Sequence, residues 1–397
     1  MTNHLMDRLG VTAYAFRGYN VTNLGRSSEL LAHPAFGPIV EGYLRTASEI
    51  CATVVRRKVD LVDRVRRNEE TDLNSYDEAL SLIVAMELAQ VRLLEEFFDV
   101  RLERARMMFG YSLGELTAVC AGGVFDMESA LRVPLEVAKD CVALAAGVTM
   151  GVLFSRGPLL DFEEVKRLCA QINAEGQGMI GISSFLAPNT VLLLGQNGTV
   201  DTFAKRMHDV FPARVYLRKN DHQWPPVHTP LVWQRNIPNR VGVMIQTLPG
   251  GFTKPNPPVF SLVTGKYSYN DYNARDILLQ WIDQPQRLWD AVYETLSGRV
   301  ETVIHVGPGP NLVPATFHRL SDNVQAQLTG NSLNKLGLRA MARAARRPWL
   351  TALLPSRTAL LRAPTVRHIV LEDWLLEQPL AQPQVPLAVQ SEAAGNS

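Results

Sequence analysis

The sequence predicts an α/β protein built on a parallel sheet, and three observations carry this prediction. Apolar runs at 11–16 and 302–306 each end in a glycine-containing loop, as buried parallel strands do. Residues 105–121 have the pattern of a strand, a tight turn and a helix. Residues 149–219 alternate strand-like and helix-like segments in the order β-α-β-β-α-β, the ferredoxin-like split unit. We therefore expect a parallel-sheet domain that is interrupted by a small subdomain.

The strand–turn–helix segment centres on Ser112, which lies between Gly110 and Gly114. A serine in a G-x-S-x-G turn after a strand is the pattern of a nucleophile elbow. The glycines suit a tight turn that packs against its neighbours, where a Cβ atom would clash. The following helix offers free N–H groups and a partial positive charge to an oxyanion. The predicted fold is therefore an α/β-hydrolase-like large domain with a parallel sheet and nucleophile elbow, plus an inserted ferredoxin-like subdomain.

The composition is that of a globular, cytoplasmic chain. It has 397 residues, 46% hydrophobic and 20% charged, with a net charge of +1. This balance gives no general attraction to nucleic acid, so no such partner is expected. The N-terminus lacks a signal-peptide pattern, and no apolar run reaches the length of a membrane helix. Four scattered cysteines without metal-ligand spacing predict reduced thiols and no metal site: Cys51, Cys120, Cys141 and Cys169.

The pattern divides the chain into four parts. Residues 1–148 and 220–325 are predicted to form a discontinuous large domain, and 149–219 the inserted subdomain. Residues 326–378 are predicted to be a basic helical extension, and 379–397, rich in Pro, Gln, Ala and Ser, a disordered tail. Besides the elbow, we expect large-domain helices and one further strand: helices at about 38–62, 75–98, 127–146 and 271–296, the last interrupted by Pro285, and a strand at 259–263.

A serine hydroxyl becomes a good nucleophile only when a base takes its proton. Among the eight histidines, His228 is the best candidate for that base. Pro225 and Pro226 stiffen its loop, which lies where the chain returns from the subdomain to the large domain. His305, in contrast, lies inside an apolar strand, which favours a hydrogen-bonded core residue.

Five segments resemble motifs of the malonyl-CoA:acyl carrier protein transacylase family, the acyltransferases of fatty acid and polyketide synthesis. Each motif is short, but all five follow the family's order. The segments are Gly110–Glu115, similar to G-H-S-L-G-E; Cys120–Asp126; the histidine loop Pro226–His228; Ser261–Gly265, similar to S-N-V-T-G; and His305–Gly309, similar to E-x-G-P-G.

The resemblance implies a ping-pong acyl transfer through Ser112, with His228 as general base. An acyl-CoA thioester would donate the acyl group, and the phosphopantetheine thiol of an acyl carrier protein would accept it. No bound cofactor would be needed. The family orients its histidine through a backbone carbonyl, which we expect here at Ser261 or Leu262.

Further site residues follow from the same resemblance. The backbone N–H groups of Leu113 and Tyr19 would form the oxyanion hole. Tyr111, Val137 and Val227 would line the acyl pocket.

The sequence departs from a malonyl enzyme at three of these positions. Tyr111 and Tyr19 stand where the family has a histidine and a glutamine. Val137 stands where the family has the arginine that pairs with the malonyl carboxylate. The nearest basic residues, Arg132 and Lys139, do not fall at the same point of the predicted helix. Because a buried carboxylate without a partner is costly, either another cation serves or the acyl group is neutral.

Two other functions stay open at this point. A thioesterase or editing hydrolase on the same scaffold would release the acyl group to water. A degenerate domain would only bind carrier proteins, although Ser112 and His228 argue against this.

The basic extension also has more than one interpretation. Residues 323–371 contain eight Lys or Arg and no Asp or Glu. They are expected to form a solvated helix face on the main domain, a docking face for an acidic carrier protein, or a contact with an anionic membrane surface.

Overall fold

The structure is a computed structural model that describes residues 7–156, 159–211, 214–220, 222–328 and 356–378, with side chains from 358 onward in the last range. In these ranges the chain forms two four-stranded sheets with helices packed on them. None of the helices described there is long and apolar enough to cross a bilayer.

The strands are numbered in chain order. They are β1 (Thr12–Phe16), β2 (Met107–Gly110), β3 (Val148–Ser155), β4 (Ile180–Ala187), β5 (Thr190–Gln196), β6 (Val215–Asn220), β7 (Thr302–Val306) and β8 (Arg367–Val370).

The helices are numbered in the same way. They are α1 (Ser27–Ala32), α2 (Gly37–Val55), α3 (Leu61–Arg66), α4 (Tyr76–Phe98), α5 (Leu113–Ala121), α6 (Met127–Ala145), α7 (Phe162–Ala174), α8 (Thr199–Val210), α9 (Ile237–Ile245), α10 (Ala274–Trp281), α11 (Leu288–Ser297), α12 (Leu312–Leu328) and α13 (Leu371–Glu377).

The main sheet is parallel, with the strand order β2-β1-β7-β8. Its register places Phe16 beside Gly110 on one side and Val306 on the other. The strands β1, β2 and β7 are buried along their whole length, as expected for a parallel sheet covered on both faces. Because these strands end at the same edge, the loops that follow them meet there.

Side chains of the main sheet alternate between two apolar clusters. Tyr14 and Phe16 pack with α2, α4 and α6 on one face. Ala13, Ala15 and Phe109 pack with α11 and α12 on the other. This alternation is the period-two pattern of a strand, and it gives the sheet a helical layer on each side.

The second sheet is antiparallel, with the strand order β4-β5-β3-β6. Along the chain its elements run β3-α7-β4-β5-α8-β6, and both helices pack on one face. This element order confirms the predicted sequence of strands and helices in 149–219. The sheet joins the main domain through Gln286, whose N–H donates to Ser183 (2.9 Å) and whose carbonyl accepts from Phe185 N–H (2.8 Å).

Most of the predicted large-domain elements are confirmed, but two are corrected. The expected helix at 38–62 is two helices, because Arg56 adopts a left-handed conformation that ends α2. The predicted helical stretch at 271–296, with its expected interruption at Pro285, is confirmed as α10 and α11, which are separated by 282–287. The expected strand at 259–263 makes only single bridges, since the chain turns back at Gly265, whose N–H donates to the Ser261 carbonyl.

The extension predicted as helical at 326–378 contains a strand. Within 356–378 the chain forms a 3-10 segment, then β8 and α13, and β8 completes the main sheet beside β7. The short strand β8 is held by its parallel pairing with β7, a contact between distant segments, so the helical prediction for this part of the extension was wrong. The basic stretch 335–347 and the predicted tail 379–397 lie outside the described residues.

Two predictions about single side chains have different outcomes. The four cysteines are free, as predicted. His305 is buried in β7, and its Nε2 lies 3.0 Å from His368 Nδ1 on β8, but its own Nδ1 has no hydrogen-bond partner. The expectation of a fully hydrogen-bonded core histidine was therefore wrong for one of its two ring nitrogens.

The role of β8 gives a stability prediction. Ile369 on β8 is buried in the apolar cluster that also contains residues of α2, α4 and α6. Ile369→Ala is therefore expected to lower the free energy of unfolding by about 2–4 kcal/mol. Arg367→Ala, at an exposed position of the same strand, is the matched control and is expected to stay within about 0.5 kcal/mol. Urea denaturation measures both variants. An equally small effect at Ile369 would contradict the packing of β8 onto the core.

Candidate active site

The predicted elbow is a strained turn between β2 and α5. Ser112 has φ 54° and ψ −117°, a conformation that non-glycine residues rarely adopt. A Cβ at Gly110 would lie 2.0 Å from the Gly114 carbonyl oxygen, and a Cβ at Gly114 would lie 2.5 Å from the carbonyl oxygens of Phe16 and Arg17. Backbone atoms cannot yield at such distances, so glycine is required at both positions.

The turn brings Ser112 to His228, as the sequence predicted. Ser112 Oγ lies 2.7 Å from His228 Nε2. His228 is itself in a left-handed conformation (φ 67°), and its N–H donates to the Ile282 carbonyl at 2.8 Å. The loop that carries His228 is thus fixed against the chain that follows α10.

A backbone carbonyl orients the imidazole, but it belongs to Trp281. His228 Nδ1 lies 2.6 Å from the Trp281 carbonyl oxygen. Since a carbonyl can only accept, Nδ1 carries the proton, and Nε2 is left free to accept the Ser112 hydroxyl proton. The expected carbonyls of Ser261 and Leu262 were the wrong choice.

Trp281 also contacts Ser112, the partner of His228. Its indole N–H donates to the Ser112 carbonyl at 2.9 Å, and its ring contacts the His228 ring edge-on, with 4.9 Å between centroids. The sequence contained one indication, because Pro285 marks a break in the helix that carries Trp281. A break exposes carbonyl groups at the end of a helix.

Ser261 and Leu262 serve the elbow in another way. Leu262 N–H donates to Glu115 Oε2 (2.9 Å), and the Tyr269 hydroxyl donates to Glu115 Oε1 (2.8 Å). Burial raises the pKa of Glu115 to about 7, and the hydrogen bonds from Ser261 and Tyr269 oppose that rise. This segment therefore anchors the first turn of α5.

Gln286 is a site residue that the sequence did not indicate. Its side-chain oxygen accepts from Ser112 N–H at 3.2 Å, and its side-chain nitrogen lies 3.3 Å from His228 Nδ1. The backbone of the same residue pairs with β4 of the second sheet. Gln286 thus connects the second sheet to the serine and the histidine.

The two predicted oxyanion donors belong to segments that border Ser112. Leu113 is the first residue of α5, where backbone N–H groups have no acceptor within the helix. A Cβ at Gly18 would lie 3.2 Å from Ser112 Cβ, so the loop after β1 passes directly over the serine. Tyr19 follows in that loop, and its ring packs against Tyr76 with 4.8 Å between centroids.

The three predicted pocket residues are not gathered into one cluster. Val137 and Val227 are buried in the apolar cluster formed with α2, α4 and α6, which also contains Leu113. Tyr111 packs against the cluster on the opposite face of the main sheet.

A depression of about 440 Å³ lies between α6 and α9. Val137 is among its lining residues, whereas Ser112 and His228 are not. The lining comprises Glu136, Val137, Asn236, Asn239, Arg240, Val241, Val243 and Met244.

The basic side chains near Val137 either lie close to acidic side chains or are exposed to solvent. Arg132 lies 3.9 Å from Glu136, and Lys139 is exposed. Arg240, across the depression, pairs with Asp140.

The fold and this geometry define a class of protein. A strained serine at the start of a helix, paired with an imidazole whose other nitrogen is fixed by a carbonyl, is the arrangement of Ser–His acyl-transfer and hydrolytic sites. Among the described residues, no group of three or more His, Cys, Asp or Glu side chains is placed to hold a metal ion.

Comparison with known proteins narrows this class. No family model matches the chain. It is 23% identical over 333 residues to the malonyl CoA-acyl carrier protein transacylase of Escherichia coli O157:H7, covering 83% of the chain and 98% of that protein. It is 25% identical over 313 residues to mycoketide-CoA synthase of Mycobacterium tuberculosis and 23% identical over 301 residues to polyketide synthase GfsA of Streptomyces halstedii. These matches cover 79% and 75% of the chain, but only 7% and 4% of the two synthases.

Solved structures with a similar fold are also transacylases. FabD from Acinetobacter baumannii superimposes with a TM-score of 0.61 at 16% identity, over 78% of this chain and 91% of that chain. A malonyl-transacylase solved with a type II PKS acyl-carrier protein gives a TM-score of 0.59 at 22% identity, over 77% and 91%. The chain therefore has the α/β fold of these transacylases, in agreement with the expected class of enzyme.

The surroundings of His228 predict an unusual pH dependence. Burial lowers the pKa of His228 to about 4, and the hydrogen bond to the Trp281 carbonyl opposes this shift. The imidazole is a base only when neutral, so acylation should stay constant down to about pH 5.5 and fall by half near pH 4.

The measurement is the rate constant kcat/KM for acylation of Ser112 by an acyl-CoA, determined at about ten pH values between roughly 3.5 and 8. Samples returned to pH 7.5 serve as the control for irreversible unfolding. A midpoint near the usual histidine pKa of about 6.5 would contradict the effect of burial.

Proposed function

We propose that the chain is an acyl-CoA:acyl carrier protein S-acyltransferase that works through an acyl-serine in fatty acid or polyketide biosynthesis. The observation that carries the proposal is the 2.7 Å contact between Ser112 Oγ and His228 Nε2 at the elbow. The names of the relatives and of the solved transacylase–carrier complex support the acyl donor and the carrier partner.

In the first half-reaction, Ser112 Oγ attacks the carbonyl carbon of the acyl-CoA thioester, and His228 Nε2 takes the hydroxyl proton. The developing oxyanion is stabilised by the backbone N–H groups of Leu113 and Tyr19. The carbon–sulfur bond then breaks, and His228 returns the proton to the CoA thiolate. An acyl-serine ester and free CoA result.

In the second half-reaction, the phosphopantetheine thiol of the carrier protein gives its proton to His228 and attacks the acyl-serine. The ester bond breaks, and the Ser112 oxygen recovers a proton from His228. Because the Trp281 carbonyl holds the imidazole through Nδ1, the same nitrogen Nε2 serves both half-reactions.

The scaffold that supports this chemistry is proposed to be an α/β-hydrolase-like large domain, 1–148 and 220–325, with a ferredoxin-like subdomain at 149–219. The parallel order of the main sheet and the β-α-β-β-α-β order of the second support this division. The thioester is proposed to enter beside Gln286, which contacts both Ser112 and the second sheet.

The acyl group is proposed to be neutral. Val137 occupies the position of the expected carboxylate-binding arginine, and its side chain is only 3% exposed within an apolar cluster. The neighbouring Arg132 pairs with Glu136, and Lys139 points to solvent. A malonyl carboxylate beside Val137 would lose its hydration without gaining a partner, which is costly.

The catalytic pair is tested by covalent labelling with radioactive acyl-CoA. Ser112→Ala is expected to abolish the acyl-enzyme, and His228→Ala to slow its formation by a factor of about 10² or more. His222→Ala, which changes an exposed histidine of the same loop, is the matched control and should keep the wild-type rate. Acylation of Ser112→Ala at another residue would refute the assignment.

The same labelling separates transfer from hydrolysis. A stable acyl-enzyme that passes its label to a phosphopantetheine thiol supports the transferase. Rapid release of free acid without the thiol would instead identify a thioesterase, and the absence of any acyl-enzyme would leave only a binding module.

The choice of acyl group is tested at Val137. Wild-type protein is expected to accept uncharged acyl-CoAs at least as fast as malonyl-CoA. Val137→Arg should shift the preference towards malonyl by about 1–3 kcal/mol, because a guanidinium can pair with the carboxylate. Val137→Met, long but uncharged, is the control and should produce no such shift. A hundredfold wild-type preference for malonyl-CoA would overturn the neutral-acyl proposal.

A further inference from the structure

A buried arginine lies beneath the loop that is proposed to supply one oxyanion donor. Arg17 follows β1 directly and is fully buried. Its Nε donates to the Gly18 carbonyl at 2.9 Å, and its terminal nitrogens donate to Asn23 Oδ1 at 2.8 Å and to the Pro308 carbonyl. The guanidinium thus fills the space between the loop after β1 and the turn after β7.

The contact at Gly18 fixes the direction of one peptide unit. The Gly18 carbonyl and the Tyr19 N–H belong to the same planar, trans peptide, so they point in opposite directions. When Arg17 Nε holds the carbonyl on one side, the N–H of Tyr19 is presented on the other. The loop lies close to Ser112, since a Cβ at Gly18 would come within 3.2 Å of Ser112 Cβ.

A buried carboxylate connects the same arginine to the other oxyanion donor. The Glu87 side chain on α4 accepts from the backbone N–H of Arg17 at 2.6 Å and from the Thr117 hydroxyl at 2.6 Å. Thr117 lies one helical turn after Leu113 on α5. Glu87 therefore ties the loop that carries Tyr19 to the helix that begins with Leu113.

We infer that Arg17 and Glu87 are positioning residues that hold the Tyr19 N–H and the Leu113 N–H at a fixed separation around the reacting carbonyl oxygen. The inference rests on the proposed serine chemistry and adds two residues that touch neither substrate nor Ser112. A buried arginine and a buried glutamate are costly to keep in a core, so their hydrogen bonds to the loop and helix explain why they are placed there.

The test uses a fluorophosphonate probe, which reports on the serine and its oxyanion donors without a thioester. Ser112 Oγ forms a bond to phosphorus, fluoride leaves, His228 takes the serine proton, and the phosphoryl oxygen occupies the oxyanion hole. The maximal inactivation rate kinact and the half-saturating concentration KI are measured separately for the full chain and its variants.

Arg17→Met and Arg17→Lys both lose the Nε contact with Gly18, so kinact should fall about 10- to 100-fold while KI changes less than about threefold. Glu87→Gln keeps a side-chain oxygen for the Arg17 N–H and should recover part of the rate that Glu87→Ala loses. A role in folding alone would not produce this split between kinact and KI.

Arg362→Lys is the matched control for loss of a buried guanidinium. Arg362 is buried and donates to the carbonyls of Leu296 and Val300, far along the chain from the elbow. It should lose thermal stability to an extent similar to Arg17→Lys but keep the wild-type kinact.

The outcomes separate this inference from the proposed function. Wild-type kinact in Arg17→Met or Arg17→Lys overturns the inference, and so does an equal loss of kinact in Arg362→Lys. A wild type that the probe does not label also overturns it. If the probe labels Ser112 but no acyl-CoA acylates it, the proposed function fails. The ratio of kinact between the wild type and the Arg17 variants still decides the inference in that case.

Discussion

The close approach between the end of β1 and the first turn of α5 is the constraint on which the site depends. A Cβ at Gly114 would lie 2.5 Å from the carbonyl oxygens of Phe16 and Arg17, so only glycine lets helix and strand meet. In the turn beside this contact, Ser112 has a strained conformation with positive φ, and Leu113 is the first residue of the helix. The fully buried strands beneath supply the rigidity that keeps such a strained residue in place.

Backbone groups perform much of the positioning around the serine and histidine. The Trp281 carbonyl fixes the tautomer of His228, and the proposed oxyanion donors are main-chain N–H groups. A site of this kind tolerates changes of side chain, provided that the backbone keeps its path. This explains how Tyr19 and Leu262 can occupy positions where the transacylase family resemblance implies glutamine and asparagine.

Two buried glutamate side chains hold that backbone path in place. Glu115 receives hydrogen bonds from Leu262 and Tyr269, and Glu87 receives them from Arg17 and Thr117. Each carboxylate joins α5 to a segment distant in sequence, and burial raises the pKa of both above the usual value. These interactions link the elbow to α4 on one side and to the 261–269 turn on the other.

The sequence alone predicted most of the elements up to α12, the elbow at Ser112 and the choice of His228, because glycine spacing, apolar periodicity and proline positions are local properties. The resemblance to the transacylase family also predicted that Val137 stands where that family has an arginine, since that position is counted directly from the elbow. Only the tertiary structure decided that Trp281 orients the imidazole, that Gln286 reaches Ser112, and that β8 completes the main sheet. Each of these is a contact between segments more than fifty residues apart. Such contacts leave no local pattern, because the partner groups are backbone atoms or ordinary polar side chains that only the fold brings together.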